Sequence, residues 1–216
     1  MLAVTAVEPI SRDIFVIRDN EDFAWLFHGR VVREFGLGSD TAHPLNDFFH
    51  AAVAESLYAA QLSLASLIRV SRQSSAKYHE RLLERGHGRA DARLVILIAD
   101  MRGLINDDKY AANLLELRYA RRREGRAALR YWLLNKGFGA STVDTVLAAH
   151  LEAVDPLSDA LALLQKRFGD ERSADGRYPA RAWNFLISRG YSSGIAQHAL
   201  RRFFREQEDD PEYSQD

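Results

Sequence analysis

One short pattern occurs three times in this 216-residue chain and constrains the fold more than any other feature. At 82–87, 133–138 and 186–191, two apolar residues are followed by a polar residue, a base, a glycine and a ring-bearing residue. Glycine suits the left-handed residue after a helix, and a base in the last turn faces the negative end of the helix dipole. The ring can fold back onto the helix that it follows. The pattern therefore predicts three helix ends of one kind.

Further helical patterns flank each of these ends, so the chain divides into three units of three helices. These patterns cover 57–70, 90–101, 108–123, 142–154, 157–168 and 194–204. Units of about 50 residues are typical of a stacked array, in which each unit needs its neighbours to bury its apolar face. We predict a mainly α fold: an elongated, curved array of three tandem three-helix repeats over 56–105, 106–155 and 156–205.

The first 55 residues differ from the repeats. Stretches 13–17 and 23–27 are rich in β-branched and aromatic residues, and the acidic turn 19–22 separates them, which predicts a β-hairpin. Because two strands alone are only marginally stable, the hairpin must pack against a helix. A short helix follows it, and then a long helix over 45–70. We therefore assign 1–55 to an N-terminal hairpin and helical lead-in.

Charge is distributed unevenly, although the net charge is only −1. The formal charges sum to −5 over 1–55, +10 over 56–205 and −6 over 206–216, an acidic tail that we expect to be disordered. A basic middle can attract a phosphate-rich partner, while acidic ends reduce non-specific attraction. A solvated helical surface with an acidic tail is the alternative interpretation.

Composition also bears on the compartment. The chain has no cysteine, which fits a reducing cytoplasm, so we expect a cytoplasmic protein. The apolar-rich stretch 51–70 carries Glu55, Gln61 and Arg69, and we interpret it as too polar to span a membrane. We expect a monomer without a membrane partner.

Residues that could carry out chemistry form none of the familiar patterns. No two of the seven histidines are three or four residues apart, and no thiolate is available, so we predict no metal site. Glycine-rich nucleotide loops and nucleophile motifs are also missing. The run Asn-Asp-Asp at 106–108 precedes a helical pattern, where such residues cap helix N–H groups, and we prefer that role to acid–base catalysis. We therefore predict no catalytic residues, no cofactor and no enzyme.

The densest basic cluster, 118–126, holds five arginines at a predicted helix end. For four of them, Arg121, Arg122, Arg123 and Arg126, two interpretations stay open: bases that offset the helix dipole, or a contact surface for phosphates or an acidic protein. Arg118 lies one turn past Leu114, near the apolar face, so we favour a structural role in which it reaches a carboxylate or a helix end. The candidate partner-binding residues are Arg118, Arg121, Arg122, Arg123, Arg126, Arg130, Lys136, Arg201 and Arg202.

The middle of the chain resembles the RecX family. The run Gly-Leu-Ile-Asn-Asp-Asp-Lys-Tyr-Ala at 103–111 is similar to that family's central signature, which continues here with Arg118, Gly125, Leu129, Leu133 and Gly137. The first unit resembles the family through Ser74, Tyr78, Leu82, Leu83 and Gly86, although Lys77 stands where a glutamate is usual. The resemblance covers about 14–205 and is weakest in the third unit, where 169–178 looks like an insertion.

The resemblance implies a modulator of the RecA recombinase that has no catalytic residues of its own. Such a protein binds RecA filaments on single-stranded DNA and usually reduces ATP hydrolysis, strand exchange and repressor cleavage, within DNA recombination, repair and the SOS response. The candidate basic residues would then contact the filament or its single-stranded DNA. The alternative is a helical DNA-binding module or transcription regulator that acts without RecA.

Overall fold

The computed structural model describes residues 2–21, 23–38, 41–169 and 178–208. Most of them are helical, as predicted, and a small β region stands at the N-terminus. The strands are β1 (Leu2–Pro9), β2 (Ile14–Asp19), β3 (Ala24–His28) and β4 (Ala42–His43). The helices are α1 (Gly29–Glu34), α2 (Leu45–Val70), α3 (Ser75–Glu84), α4 (Arg89–Met101), α5 (Asp107–Arg122), α6 (Arg126–Asn135), α7 (Ala140–Glu152), α8 (Pro156–Phe168), α9 (Tyr178–Ser188) and α10 (Ser193–Glu208).

The chain forms two compact units. The first contains 1–73 and 77–105, and the second contains 74–76 and the residues from 106 onward. The first unit holds the β region, α2 and the first repeat, and the second unit holds repeats two and three. The finer division into five segments and the curvature of the array remain predictions.

The β region is larger than the predicted hairpin. Strands β2 and β3 do pair, with Phe15 opposite Phe27, but they belong to a four-stranded antiparallel sheet of order β3-β2-β1-β4. The hairpin prediction was incomplete because β1 contains alanines and ends at Pro9, and because β4 has only two residues. Such segments carry little strand signal until a neighbouring strand pairs with them.

A buried carboxylate organises the turn between β2 and β3. The side chain of Asp19 accepts hydrogen bonds from the backbone N–H groups of Glu21 (2.9 Å) and Phe23 (3.0 Å) and from the indole N–H of Trp25 (2.8 Å). Burial by itself would raise the pKa of this carboxyl, but the three donors outweigh that effect and lower the pKa below its ordinary value. One of the turn residues that the sequence indicated, Asp19, therefore holds this turn through its side chain.

Helix α2 takes part in two separate cores of the first unit. Near its start, Phe48 and Ala51 pack against the sheet residues Ile17 and Phe27. Near its end, Leu64 and other residues belong to the core of the first repeat. By length and mean hydropathy alone α2 is long and apolar enough to cross a membrane, so the prediction that this stretch is too polar was too strong. One such helix is weak evidence of a membrane span, because core helices pass the same test.

Each repeat encloses a core of its own. The second half of α2 packs with α3 and α4 around Leu82, α5–α7 pack around Leu133, and α8–α10 pack around Leu186. These three leucines occupy equivalent places in the repeated pattern, and each is fully buried. The three units thus have three distinct hydrophobic clusters, and the expectation that each unit needs its neighbours to bury its apolar face remains a prediction.

The three repeated helix ends share one backbone geometry. Gly86, Gly137 and Gly190 have φ values of +86°, +86° and +84°, in the left-handed region where a Cβ would be strained. In each case the glycine N–H and the following N–H donate to carbonyls of the last helical turn, for example Gly190 to Ile187 at 2.9 Å and Tyr191 to Leu186 at 3.2 Å. The prediction from the repeated pattern is confirmed.

Candidate functional site

Repeats two and three meet through their backbones inside the second unit. The loop between α5 and α6 faces the turn after α9: the N–H of Gly125 donates to the carbonyl of Arg189 at 2.9 Å, and that of Ala127 donates to Gly190 at 3.1 Å. The Tyr191 hydroxyl donates to the carbonyl of Arg123 at 2.6 Å. These bonds fix the end of α5 relative to the end of α9.

The same contact leaves no room for side chains at two glycines. A Cβ at Gly125 would lie 2.4 Å from the carbonyl oxygen of Gly190, and a Cβ at Gly190 would lie 2.3 Å from the backbone nitrogen of Ala128. Real Cβ atoms do not approach backbone atoms so closely. Gly190 therefore serves both as the end of α9 and as the point of closest approach between the two repeats.

Arg118 and Glu124 form a bidentate ion pair beside this loop. The Nε and Nη2 atoms of Arg118 donate to the two carboxylate oxygens of Glu124 at 2.5 and 3.0 Å. The guanidinium also lies 4.6 Å from the centroid of the Trp132 ring. Glu124 is only 7% exposed and Arg118 22% exposed. Here the arginine neutralises a buried carboxylate, as favoured from the sequence, and its role in partner binding remains untested.

A second polar cluster holds Arg123 at the end of α5. Arg123 adopts a left-handed backbone with φ of +44°, and its Nη1 atom donates to Asp159 at 3.0 Å. Asp159 also accepts a hydrogen bond from the Tyr119 hydroxyl. Burial, reinforced by this bond, raises the pKa of Tyr119 above its ordinary value, and burial also raises the pKa of Tyr191. Both phenols therefore stay protonated near neutral pH and act as hydrogen-bond donors.

Three helix ends form a basic groove of about 840 Å³ in the second unit. We call it the basic groove. Its walls come from the last turns of α5 and α9, from the second half of α8 and from the residues that follow α5 and α9. They carry six cations and an apolar strip. The lining residues are Ala120, Arg121, Arg122, Arg123, Ala162, Leu163, Lys166, Arg167, Phe185 and Arg189. Within the described ranges none of the residues that line this groove is acidic.

The six cations differ in how far the fold neutralises them. Arg123 is paired with Asp159, and Arg122 lies 3.5 Å from Glu124, a carboxylate already held by Arg118. For Arg121, Lys166 and Arg167, no carboxylate of the described part of the chain lies within ion-pair distance. Among the described residues no acid offsets the charge of these three cations, an arrangement that favours an anionic ligand.

Arg189 lies over the Phe185 ring at the wall of the groove. Its guanidinium carbon lies 5.2 Å from the centroid of the Phe185 ring, and its Nη1 atom donates to the carbonyl of Arg122 at 3.1 Å. Phe185 in turn packs edge-on against Phe168, with ring centroids 5.6 Å apart. A planar cation therefore lies in a defined position beside the groove.

Of the nine candidate residues predicted from the sequence, the structure brings Arg121, Arg122 and Arg123 together in the basic groove. The other six lie elsewhere: Arg118, Arg126, Arg130, Lys136, Arg201 and Arg202. Their part in partner binding stays a prediction.

Several of these six have local neighbours of their own. Arg130 forms a bidentate pair with Asp144, at 2.8 and 3.3 Å, and the hydrogen bond lowers the pKa of that carboxyl. The Lys136 ammonium lies 5.8 Å from the centroid of the Trp132 ring. Arg126 is exposed beside a small apolar cavity of about 190 Å³. Arg201 and Arg202 are exposed on α10.

Sequence reasoning missed three cations of the groove, Lys166, Arg167 and Arg189, together with Phe185. The only local signal is that each base stands near a helix end, and by itself this indicates compensation of the helix dipole. The sequence could not show that these residues lie close together, because the groove is formed by parts of three separate helices.

The acidic run at 106–108 caps helices, as predicted. The Asn106 side chain accepts the N–H of Lys109 at 2.7 Å at the start of α5. Asp107 accepts the N–H of Ser75 at 2.9 Å. Across the residues that the structure describes, no group of three or more histidine or acidic side chains is arranged to hold a metal ion.

The chain is similar to two curated proteins named "Regulatory protein RecX". One, from Leptothrix cholodnii, is 33% identical over 128 residues, which are 59% of this chain and 78% of that protein. The other, from Chlorobium phaeobacteroides, is 27% identical over 106 residues, 49% of this chain and 68% of the relative. No family model matches the chain.

Two solved structures share the fold. The crystal structure of a regulatory protein RecX superposes with a TM-score of 0.70 at 19% identity, covering 91% of this chain and 98% of the other. The crystal structure of RecX from Lactobacillus salivarius gives 0.63 at 14% identity, covering 70% and 99%. The signature at 103–111, the repeated helix ends, this fold and the extent of the Leptothrix match agree: the chain belongs to the RecX family of regulatory proteins.

Proposed function

We propose that this protein binds RecA filaments assembled on single-stranded DNA and lowers RecA's ATPase, strand-exchange and coprotease activities. Membership of a family of regulatory proteins supports a role in regulation. The basic groove is the observation that carries the choice of partner, because three of its cations have no ion-pair partner among the described residues and a RecA filament on DNA is rich in phosphate. The protein acts by binding, without a reaction of its own, and in the cytoplasm.

The test is RecA's DNA-dependent ATP hydrolysis, measured while this protein is titrated onto preformed filaments. We expect the rate to fall as the filaments saturate. A variant with Arg121, Lys166 and Arg167 all changed to Gln should need a higher concentration for the same effect. The matched control changes Arg81, Arg93 and Arg102 to Gln: these three exposed cations lie in the first unit, and the net-charge change is the same.

An unchanged hydrolysis rate at saturating protein would remove the proposal. A groove variant that inhibits as strongly as the control would keep the function but move the contact surface elsewhere. Circular dichroism of both variants checks that their helical content is intact.

A DNA-binding module that acts without RecA is the alternative, since the same groove could contact duplex DNA. It predicts tight, sequence-dependent binding to duplex DNA in the absence of recombinase. Gel-shift titration against random and genomic duplexes separates the two functions, and equal affinity for all duplexes rules out the transcription regulator.

A further inference from the structure

We propose that the basic groove binds the sugar–phosphate backbone of single-stranded nucleic acid directly and stacks a base against the Arg189 guanidinium. The proposal deepens the function above and rests on it for the source of the strand, which is the DNA carried by the filament. An acidic protein surface would also attract the groove's cations. The proposal therefore favours nucleic acid over an acidic protein as the partner of the groove.

The cations of the groove are of the kind that binds phosphate. Five of the six are arginines, whose planar fork can bind a phosphate through two parallel hydrogen bonds. Arg121, Lys166 and Arg167 come from two different helices and have no acidic partner in the described residues, so each is available to one phosphate. A backbone that runs through the groove would relieve the repulsion among them.

The apolar strip distinguishes a nucleic acid from an acidic peptide. Proteins that bind single strands combine a positively charged groove with flat groups on which bases stack. Here the guanidinium carbon of Arg189 lies 5.2 Å from the centroid of the Phe185 ring, and its Nη1 atom donates to the carbonyl of Arg122. Arg189 and Phe185 both line the groove, so a base that enters the groove can reach this planar cation. Carboxylate side chains have no comparable flat apolar group.

The backbone contact between repeats two and three keeps these parts in register. Gly125 bonds to the carbonyl of Arg189, and Arg189 bonds to the carbonyl of Arg122. Hydrogen bonds between two chain segments therefore hold the arginines at the end of α5 beside the arginine that follows α9. A ligand meets a surface that is already ordered, which reduces the entropy lost on binding.

The experiment uses the full chain without RecA. Fluorescence anisotropy measures its binding to labelled oligothymidylate of about twelve nucleotides, to an abasic strand of the same length, and to oligoglutamate of equal charge. We expect oligothymidylate to bind tightest, with log affinity falling linearly with log salt because bound phosphates release counterions. Changing Arg121, Lys166 and Arg167 to Gln should weaken binding about tenfold or more and make the salt slope shallower by about 2.

A conservative substitution at Arg189 separates the contribution of base stacking from that of charge. Arg189→Lys keeps the charge but loses the plane, so oligothymidylate binding should fall about fivefold or more while binding to the abasic strand and the salt slope stay unchanged. The control variant with Arg81, Arg93 and Arg102 changed to Gln should bind within about twofold of the wild type at moderate salt.

Three results would overturn the proposal. Equal binding of oligothymidylate and oligoglutamate would assign the groove to acidic partners in general. Equal losses in the groove variant and its control would place the nucleic-acid contact elsewhere. A fall in RecA's ATPase without any oligonucleotide binding would reject direct DNA contact and leave the proposed function standing. Oligonucleotide binding without an effect on RecA would reject that function and keep the groove's ligand.

Discussion

At the scale of single residues, three arginines within six positions do different things. Arg118 neutralises the buried Glu124, Arg123 pairs with Asp159 at the helix end, and Arg121 faces the groove without an acidic partner in the described residues. Their side chains are chemically identical, so the difference comes from what each can reach. A stability effect is expected for the first, whereas ligand binding should depend most on Arg121.

Arg118→Met should destabilise the second unit by about 2 to 3 kcal/mol, because it leaves Glu124 buried without its main partner. We place the loss below that of a fully buried pair because Arg118 is partly exposed and Arg122 lies near Glu124. Urea unfolding measures the effect. Changing both Arg118 and Glu124 to Met should recover at least half of it. The control Arg121→Met, on the same helix, should change stability by less than about 0.5 kcal/mol. Equal losses of stability in Arg118→Met and Arg121→Met would contradict the role of Arg118 in neutralising Glu124.

Asp19 should make folding of the first unit sensitive to acid. Because its folded pKa lies below the unfolded value of about 3.9, it stabilises the fold above that pH, and the contribution is lost as the pH falls through the folded pKa. Asp19→Asn should remove this acid-dependent part and cost about 1 to 3 kcal/mol at pH 7, since the amide cannot accept all three donors. Unfolding free energies of both proteins from pH 7 to 2.5 test this. Parallel pH curves would show that Asp19 is not the responsible group.

At the scale of elements, a single helix end is used three times in different surroundings. Around Gly86 a Cβ would meet open space, whereas at Gly190 it would meet the backbone of α6. Both glycines have the same left-handed φ, so they carry the same conformational requirement. Any difference between alanine substitutions at the two sites therefore measures the contact between repeats two and three.

Gly86→Ala should cost about 1 kcal/mol, the strain of a Cβ in the left-handed region. Gly190→Ala should cost at least about 3 kcal/mol, because the Cβ would also displace the backbone at Ala128. Gly125→Ala has ordinary φ but the same close contact, so it should resemble Gly190→Ala. Thermal melting followed by circular dichroism ranks the three variants. A Gly190 variant no weaker than the Gly86 variant would show that the contact is dispensable.

Most of the helical fold could be predicted, because apolar spacing, caps and glycine ends are local signals. Helix α2 was predicted with both ends correct, and α5 within one residue at each end. Strand β1 was missed because its pairing with β2 and β4 is non-local. The groove was found only in part for the same reason: Lys166 and Arg189 are far apart in sequence from the arginines of α5, and only the folded second unit brings them together.

At the scale of the whole molecule, the near-zero net charge conceals local concentrations of charge. The basic groove lies in the second unit, while 206–216 carry six acids and no base. Charges of one chain act on an incoming polyanion over a distance set by salt, about 10 Å at 0.1 M. The acidic tail should therefore weaken attraction to nucleic acid most at low ionic strength.

Deleting residues 209–216 removes four acids and changes the net charge from −1 to +3. We expect the shortened protein to bind oligothymidylate several-fold more tightly at about 50 mM salt and equally at about 500 mM, because salt screens the tail's field. Anisotropy titrations at the two salt concentrations measure this. A full-length variant with the four acids changed to Asn or Gln should behave like the deletion. If only the deletion has an effect, the tail acts through something other than its charge.

The junction at Gly125 and Gly190 also bears on how such a protein can diverge. A joint between peptide groups requires two positions without side chains, and it places few demands on the identity of the surrounding residues. Substitutions can then accumulate around it while the spacing between neighbouring bundles is preserved. The surface beside the joint is free to acquire or lose arginines, so ligand preference can change over generations without rebuilding the scaffold.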